Sequence, residues 1–450
     1  DLGGGPASAP AARHLEEFRQ GLCPYLKQVS EGNNSALDLL RQQLEEQKMD
    51  PVDFFVEAAA QLGPSFQAGK VHFEGRPEVA QMVLVKTDRG FTKSSLQSNA
   101  LGSMLGHDNI FLIGGQPWED RRAMMQPFFS GAEVMNEETH SHVLATVSKH
   151  LDALPVNGEA VDLDPRLRMM TLDAALQHMF GAELSMPELA EAVKLFAQVG
   201  ASAADQILGR GETPRPELDD LACLILGRGK PDGNLLQALQ ESSMDEQALR
   251  KEVLTMALLG HETTANLLNW SLAELTRNPE DLRAFQGEVR ALLGSGPPSL
   301  EQTRKLKGAA EIVRETARVH PPNYLLVREA PQDISLETKL GPVSFEAGSQ
   351  VLMPLNVINA TPDGNAWDPQ REGAKFYSFG SGARVCLGQV FARLECSVIL
   401  SQLLNRFELE AVSEKMPTAV SAFSSGPSDN RYRLQPAQGG IKSHAYPTQR

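Results

Sequence analysis

The sequence predicts a mainly α-helical protein with a small β portion. Apolar residues recur at helical spacing through most of the first 320 positions, interrupted by short polar Gly/Pro stretches such as "GRGETPRPE" and "GRGKPDGN". The longest periodic stretch, "SMDEQALRKEVLTMALLGHETTANLLNWSLAELTRNP", is long enough to cross a whole domain. After position 320 the texture changes to short runs bounded by turn residues, "YLLVREA", "DISLE", "GPVSFEAGSQVLMPLN" and "DNRYRLQPA", which read as strands.

Taken in order, "SALDLLRQQLEEQ" and "DPVDFFVEAAAQLG" are two early helices, the second ended by Gly63-Pro64. "RPEVAQMVLVK" is a third, and "GQPWEDRRAMMQPFF" is a short one stopped near Pro127. From about 136 to 290 the pattern is almost all helix. "GPSFQAGKVHFEGRPEVAQ" is too short for a hairpin of two full strands. No internal repeat or linker divides the chain. The expected organisation is a flexible leader over 1–12 and a single domain over 13–450.

Composition narrows the function classes. With 41% hydrophobic and 22% charged residues the chain is ordinary globular protein, and its formal net charge of −15 argues against nucleic-acid or anionic-membrane binding. No apolar run reaches the length of a transmembrane helix. Cys23, Cys223, Cys386 and Cys396 form no C-x-x-C pair and no disulfide framework, which points to a reducing, cytoplasmic setting.

The long helix opens on Ser243 and Glu246, spaced as a capping box, and Pro279 ends it. At 1.5 Å per residue it spans roughly 50 Å. Its apolar surroundings predict burial, yet its middle reads Gly260-His261-Glu262-Thr263-Thr264. A mid-helix Gly costs about 1 kcal/mol against Ala, and a buried Glu costs more unless partnered. Two readings stay open: a polar patch on an exposed turn, or a distorted turn beside a reaction centre. In the second, Gly260 admits something flat against the backbone while Glu262 and Thr263 handle protons. "HETTA" is no zinc-protease motif, because Ala265 stands where the second histidine belongs.

The other informative stretch is "FYSFGSGARVCLG", followed at once by the helical "QVFARLECSVILSQLL". Cys386 sits just before a helix N-terminus, two residues after Arg384, and both features favour its thiolate. Gly380, Gly382 and Gly388 permit tight turns and close approach to a ligand. An isolated cysteine of this kind suits a cofactor metal with one protein ligand on that side, haem iron above all. A dinucleotide loop is the rival, but Val385 occupies the third glycine position of G-x-G-x-x-G.

These residues resemble the cytochrome P-450 family. "FGSGARVCLG" matches its haem-binding signature F-x-x-G-x-R-x-C-x-G at Phe379, Gly382, Arg384, Cys386 and Gly388. "LLGHETT" is similar to the family's central-helix motif, with Leu259 where Ala is usual; "ETARVHPP" matches its E-x-x-R helix at Glu315 and Arg318; "WEDRR" matches its W-x-x-x-R helix at Trp118 and Arg122. The resemblance implies a triangular, prism-like domain with haem b (iron protoporphyrin IX) between the central helix and the cysteine-loop helix. It implies Cys386 as metal ligand and Trp118, Arg122, Arg328 and Arg384 as propionate contacts, with Phe379, Gly260 and Gly388 also against the cofactor. It further implies a Glu315–Arg318 pair, with Arg371 as candidate third member, and Glu262 and Thr263 as the proton-handling catalytic pair.

The implied activity is a monooxygenase that inserts one atom of O₂ into an apolar small molecule, by hydroxylation or epoxidation. The length leaves no room for a fused flavin domain, so electrons are expected from a ferredoxin or flavoprotein reductase docking near Arg121, Lys375 and Arg393. A monomer is expected. The alternatives are a peroxide-driven or oxygen-independent haem-thiolate enzyme and a haem-based ligand binder or sensor. The pocket is expected near 88–106, Met256, Leu259, 323–327 and 421–425. Natural products and lipids (terpenoid, fatty acyl, steroid, polyketide) all stay open as substrates.

Overall fold

Asp50, Ser94, Asn136 and Asp245 each cap a helix by accepting an N–H of its first turn. The computed structural model describes residues 49–207, 215–294, 296–339, 341–362 and 365–437; the expected leader, the first expected helix and Cys23 lie outside them. The principal helices are α1 (Pro51–Leu62), α2 (Pro77–Val85), α3 (Ser95–Leu105), α4 (Gly115–Met125), α5 (Glu137–Asp152), α6 (Asp164–Phe180), α7 (Met186–Ile207), α8 (Pro216–Arg228), α9 (Glu246–Arg277), α10 (Pro279–Leu293), α11 (Lys307–Val319) and α12 (Gln389–Arg406). Asp50 caps α1 through Val52 N at 2.9 Å, with Pro51 in the first turn, where its missing N–H costs nothing.

The strands are β1 (Ser65–Ala68), β2 (Val71–Glu74), β3 (Thr92–Lys93), β4 (Ala160–Asp162), β5 (Leu325–Ala330), β6 (Ile334–Thr338), β7 (Gly341–Phe345), β8 (Ser349–Pro354), β9 (Phe407–Ala411), β10 (Ala419–Ser421), β11 (Ser425–Pro427) and β12 (Arg431–Pro436). The largest sheet has the order β1-β2-β8-β5-β3, with β2 parallel to β8 and the other pairs antiparallel. Its β5–β8 register sets Leu325 opposite Pro354 and Ala330 opposite Ser349. The remaining strands pair as β4-β12-β9, β10-β11 and β6-β7. The architecture is thus mainly helical with a small β portion, as expected.

Three expectations are corrected here. The segment judged too short for a hairpin forms one, because the two-residue turn Gly69-Lys70, with Gly69 at φ 56°, lets two four-residue strands pair in full. The helical stretch from 136 to 290 is interrupted by β4, which pairs with β12. The central helix α9 begins at Glu246, and its cap is Asp245, whose carboxylate accepts from Ala248 N at 2.8 Å; Ser243 and Glu246 form no capping box.

The core runs along α9, which is buried for most of its length and packs against α6, α8, α11, α12 and β11. Among the described residues no helix is long and apolar enough to cross a membrane.

Candidate active site

A cavity of about 270 Å³ lies between α9 and the loop that leads into α12. On one side it is lined by Leu259, Gly260, Thr263, Thr264 and Leu267 of α9, and on the other by Phe379, Gly380 and the run Arg384–Gly388. The two sequence motifs that resisted bland explanation therefore face one space.

The cysteine loop is built by hydrogen bonds within its own turn. Gly380 N donates to Tyr377 O at 2.7 Å, and Cys386 N donates to Phe379 O at 2.8 Å. Gly382 adopts φ 72°, and a Cβ there would lie 2.8 Å from Val85 Cα, so glycine is required on both counts. The Cys386 sulfur is open to the cavity. Burial pushes its thiol up, while the Gly388 N–H and the Arg122 guanidinium pull it down. Net stabilisation of the free thiolate, expected from the helix terminus and Arg384, is not what this environment gives, because burial outweighs the groups that favour it.

Arg384 makes a bidentate pair with Asp88, Nε–Oδ2 2.6 Å and Nη2–Oδ1 2.9 Å, and its Nη2 also donates to Ile113 O. Asp88 holds the left-handed conformation, φ 64°. The Arg384 guanidinium lies 4.0 Å over the ring of buried Trp118. Arg122 lines the cavity one helical turn beyond Trp118, with its Nε on Gln126 at 2.9 Å. Arg328 is buried, donates through Nε to Thr87 at 2.9 Å, and is lowered to about 10 by burial and by Arg384. A fourth cation falls within the expected wall 88–106 but is not among the expected cofactor contacts. Lys93 lines the same end with its Nζ 4.3 Å over the Phe111 ring, and burial with two neighbouring arginines pushes its ammonium well below the ordinary range. Nothing in "GFTKSS" marks it, since its neighbours come from distant strands.

The reaction turn of α9 departs from expectation in two ways. The helix is continuous, with no break at Gly260. Gly260 lines the cavity, and its absent Cβ would meet Ala175 Cβ and Met179 Cε at 3.3 Å, so this glycine also lets α9 and α6 pack closely. Thr263 and Thr264 face the cavity, and their hydroxyls donate back to Leu259 O and Gly260 O. Glu262 does not line it. Its Oε1 accepts from Ser424 Oγ at 2.9 Å and lies 3.9 Å from Arg168 Nη1, while its buried Oε2 has no partner. Burial raises its carboxyl, opposed by Arg168 and Ser424.

The E-x-x-R expectation holds. Arg318 grips Glu315 with Nε–Oε2 2.9 Å and Nη2–Oε1 2.7 Å, both side chains fully buried, and Arg371 joins through Nε at 3.3 Å. Arg318 also donates to Asn359 O and Ala366 O, tying α11 to the strand of chain that precedes the cysteine loop. Of the expected docking cations, Lys375 and Arg393 are exposed, whereas Arg121 is drawn into a pair with the buried Glu252. Among the expected wall residues, Met256, Leu259, Asn323, Leu326, Val327 and Lys93 line the cavity; Leu325 and Phe423 do not.

The donor set suits a flat, dianionic, metal-centred group. One cysteine thiol faces the cavity, four cationic side chains (Lys93, Arg122, Arg328, Arg384) line it, no acidic side chain does, and the rest is largely apolar. Comparison with known proteins agrees. The family described as Cytochrome P450 matches residues 212–432. The chain is 26% identical over 380 residues to the cytokinin hydroxylase of Arabidopsis thaliana, covering 73% of this chain and 72% of that protein. It is 23% identical over 438 residues to cytochrome P450 monooxygenase fsdH of Fusarium heterosporum, covering 83% and 75%. Over 219 residues it is 32% identical to the 11-oxo-beta-amyrin 30-oxidase of Glycyrrhiza uralensis, covering 45% and 41%.

Proposed function

Because the chain belongs to the cytochrome P450 family and is with it a haem-dependent monooxygenase carrying haem b, we propose that Cys386 is the protein's one ligand to the haem iron and that the cavity above it takes an apolar substrate. A single observation carries this: the Cys386 sulfur and the Thr263 side of α9 line the same cavity. The bound haem supplies the oxygen chemistry, in which O₂, two electrons and two protons give one oxygen atom to the substrate and one to water.

The protein's part is placement, charge and protons. Arg122, Arg328 and Lys93 hold the cofactor carboxylates, with Trp118 beneath Arg384. Asp88 fixes two of the Arg384 nitrogens and leaves Nη1 for a carboxylate. Phe379 and Gly388 close the sulfur side. Thr263 Oγ1 presents the last protein proton to the reacting centre, and Glu262, on the other face of the helix, takes up protons through its free Oε2. Met256, Leu259, Leu326, Val327, Ile110 and Phe111 give the substrate its apolar surroundings. Electrons arrive from a separate ferredoxin or flavoprotein partner on the Cys386 side.

The test is spectroscopic first. The reduced, carbon monoxide-treated holoprotein is expected to show a strongly red-shifted Soret band that Cys386→Ser abolishes; persistence of the band in the variant rejects the ligand. Turnover with reductase and O₂ is expected. Turnover with peroxide alone would move the protein to the peroxide-driven reading.

A further inference from the structure

The stretch between α3 and α4 forms one wall of the cavity, where Ile110 and Phe111 meet the ligand space. Internally it is a small rigid unit. The fully buried Asn109 donates to Leu105 O and Gly106 O and accepts from Phe111 N and Leu112 N. At its ends stand glycines in the left-handed region, Gly106 at φ 76° and Gly115 at φ 64°. A rigid unit between two such glycines moves as a body unless something outside it holds it.

Arg384 Nη2 holds its far end through Ile113 O at 2.8 Å, and a buried carboxylate on the central helix holds its middle. Both oxygens of Glu252 lie within 3.2 Å of Ile110 N, and Oε2 also accepts from Arg121 Nη1 at 2.9 Å. Arg121 reaches back to the same stretch through Asp108 O at 2.7 Å. The Glu252 side chain is completely buried and that of Arg121 nearly so. The neighbouring Lys251 donates to Met104 O, and its methylenes would touch a Cβ at Gly106. None of Glu252, Arg121 and Lys251 lines the cavity, so no other role in the site accounts for an ion pair with a fully buried carboxylate here.

We propose that Glu252, with Arg121, is a positioning residue for the substrate cavity: it pins the 108–112 stretch to the central helix and so sets how large a ligand can pass Ile110 and Phe111. The proposal rests on reading the cavity as the substrate site. It makes Arg121 part of the cavity's frame, not of a docking surface.

The experiment uses holoprotein and two probes, imidazole and clotrimazole, a bulky triaryl imidazole, followed by the Soret shift on binding. Hydrogen exchange is measured in parallel. Glu252→Gln keeps the shape and removes the charge that Arg121 and Ile110 N share. Should that variant fail to fold, Arg121→Gln serves in its place: burial already holds Glu252 up to about 7, so the carboxyl left behind takes a proton and no lone buried charge results. Expected are roughly tenfold faster exchange over 108–113, equal to about 1.4 kcal/mol of opening free energy, a matching rise in the clotrimazole association rate, and an unchanged imidazole rate. Unaltered exchange and clotrimazole rates overturn the proposal. So does faster exchange shared equally by α9 and α12, which marks general destabilisation. Failure of imidazole to bind the unsubstituted protein would instead defeat the reading of the cavity itself.

Discussion

Glu315 and Glu262 are both buried carboxylates within reach of arginine, and they are partnered in opposite ways. Glu315 receives both nitrogens of the Arg318 fork, a third contact from Arg371 and the Asp368 N–H. Glu262 has one hydroxyl donor, an arginine nitrogen at 3.9 Å and an oxygen with nothing. Leaving a buried acceptor empty costs about 1–3 kcal/mol. A saturated carboxylate fixes chain geometry, whereas an unsaturated one keeps room for a proton. Three substitutions separate these two descriptions.

The largest effect is expected at Glu315. Glu315→Gln leaves Arg318, which is 1% exposed, with its charge uncompensated. Breaking a buried pair from one side costs about 3–5 kcal/mol. Because Arg318 also holds Asn359 O and Ala366 O, the loss should spread to the cysteine loop, seen as a lower unfolding midpoint and faster haem transfer to apomyoglobin. A change below about 1 kcal/mol, with haem retained, would mean that the saturated network does not carry the loop.

Glu262→Gln should behave in the contrary manner. One oxygen is already unpartnered, and the amide keeps the Ser424 hydroxyl as neighbour, so stability should move by less than about 1 kcal/mol. What should fall, several-fold, is product formed per pair of electrons consumed, because protons reach the reacting centre late. Full coupling in this variant would remove Glu262 from proton delivery and leave that role to the hydroxyls that face the cavity, Thr263 and Thr264.

How much of this was legible beforehand divides along the same line. Glu315 and Arg318 are three residues apart on one helical face, so spacing alone announces the pair. The cysteine loop is equally local, since its glycines and Cys386 lie within ten residues. The partners of Arg384 and Arg121 lie 296 and 131 positions away. Charge type gives no hint which of many acids a folded chain will bring to them, so neither the Asp88 that grips Arg384 nor the Glu252 that draws Arg121 from the surface is readable. Gly260 shows a related limit: sequence shows that a glycine breaks helix propensity but not which neighbours crowd its face, here Ala175 and Met179. The polar stripe Glu262, Asn266, Asn269 is helically spaced and readable. Its destination is not, because Ser424, which receives Asn266 Nδ2 at 2.7 Å, comes from the far C-terminal strands.

The smallest and most discriminating change is at Ser424. Its hydroxyl stabilises the ionised form of Glu262, so Ser424→Ala should raise that carboxyl further above its ordinary range. The sign for stability follows. A carboxyl whose folded-state pKa is raised favours the native state fully below the ordinary carboxylate range, and that contribution is lost as pH rises through the folded midpoint. Removing Ser424 therefore extends the window to higher pH without changing its low-pH limit. The Glu262 C=O stretch, identified as the infrared band missing from Glu262→Gln, reports the midpoint directly. An upward move in Ser424→Ala supports a proton-holding carboxyl tuned from the strand side. No move would mean that Arg168 and burial alone set it, and that the bond to Ser424 serves only to fasten the β10–β11 turn against the central helix.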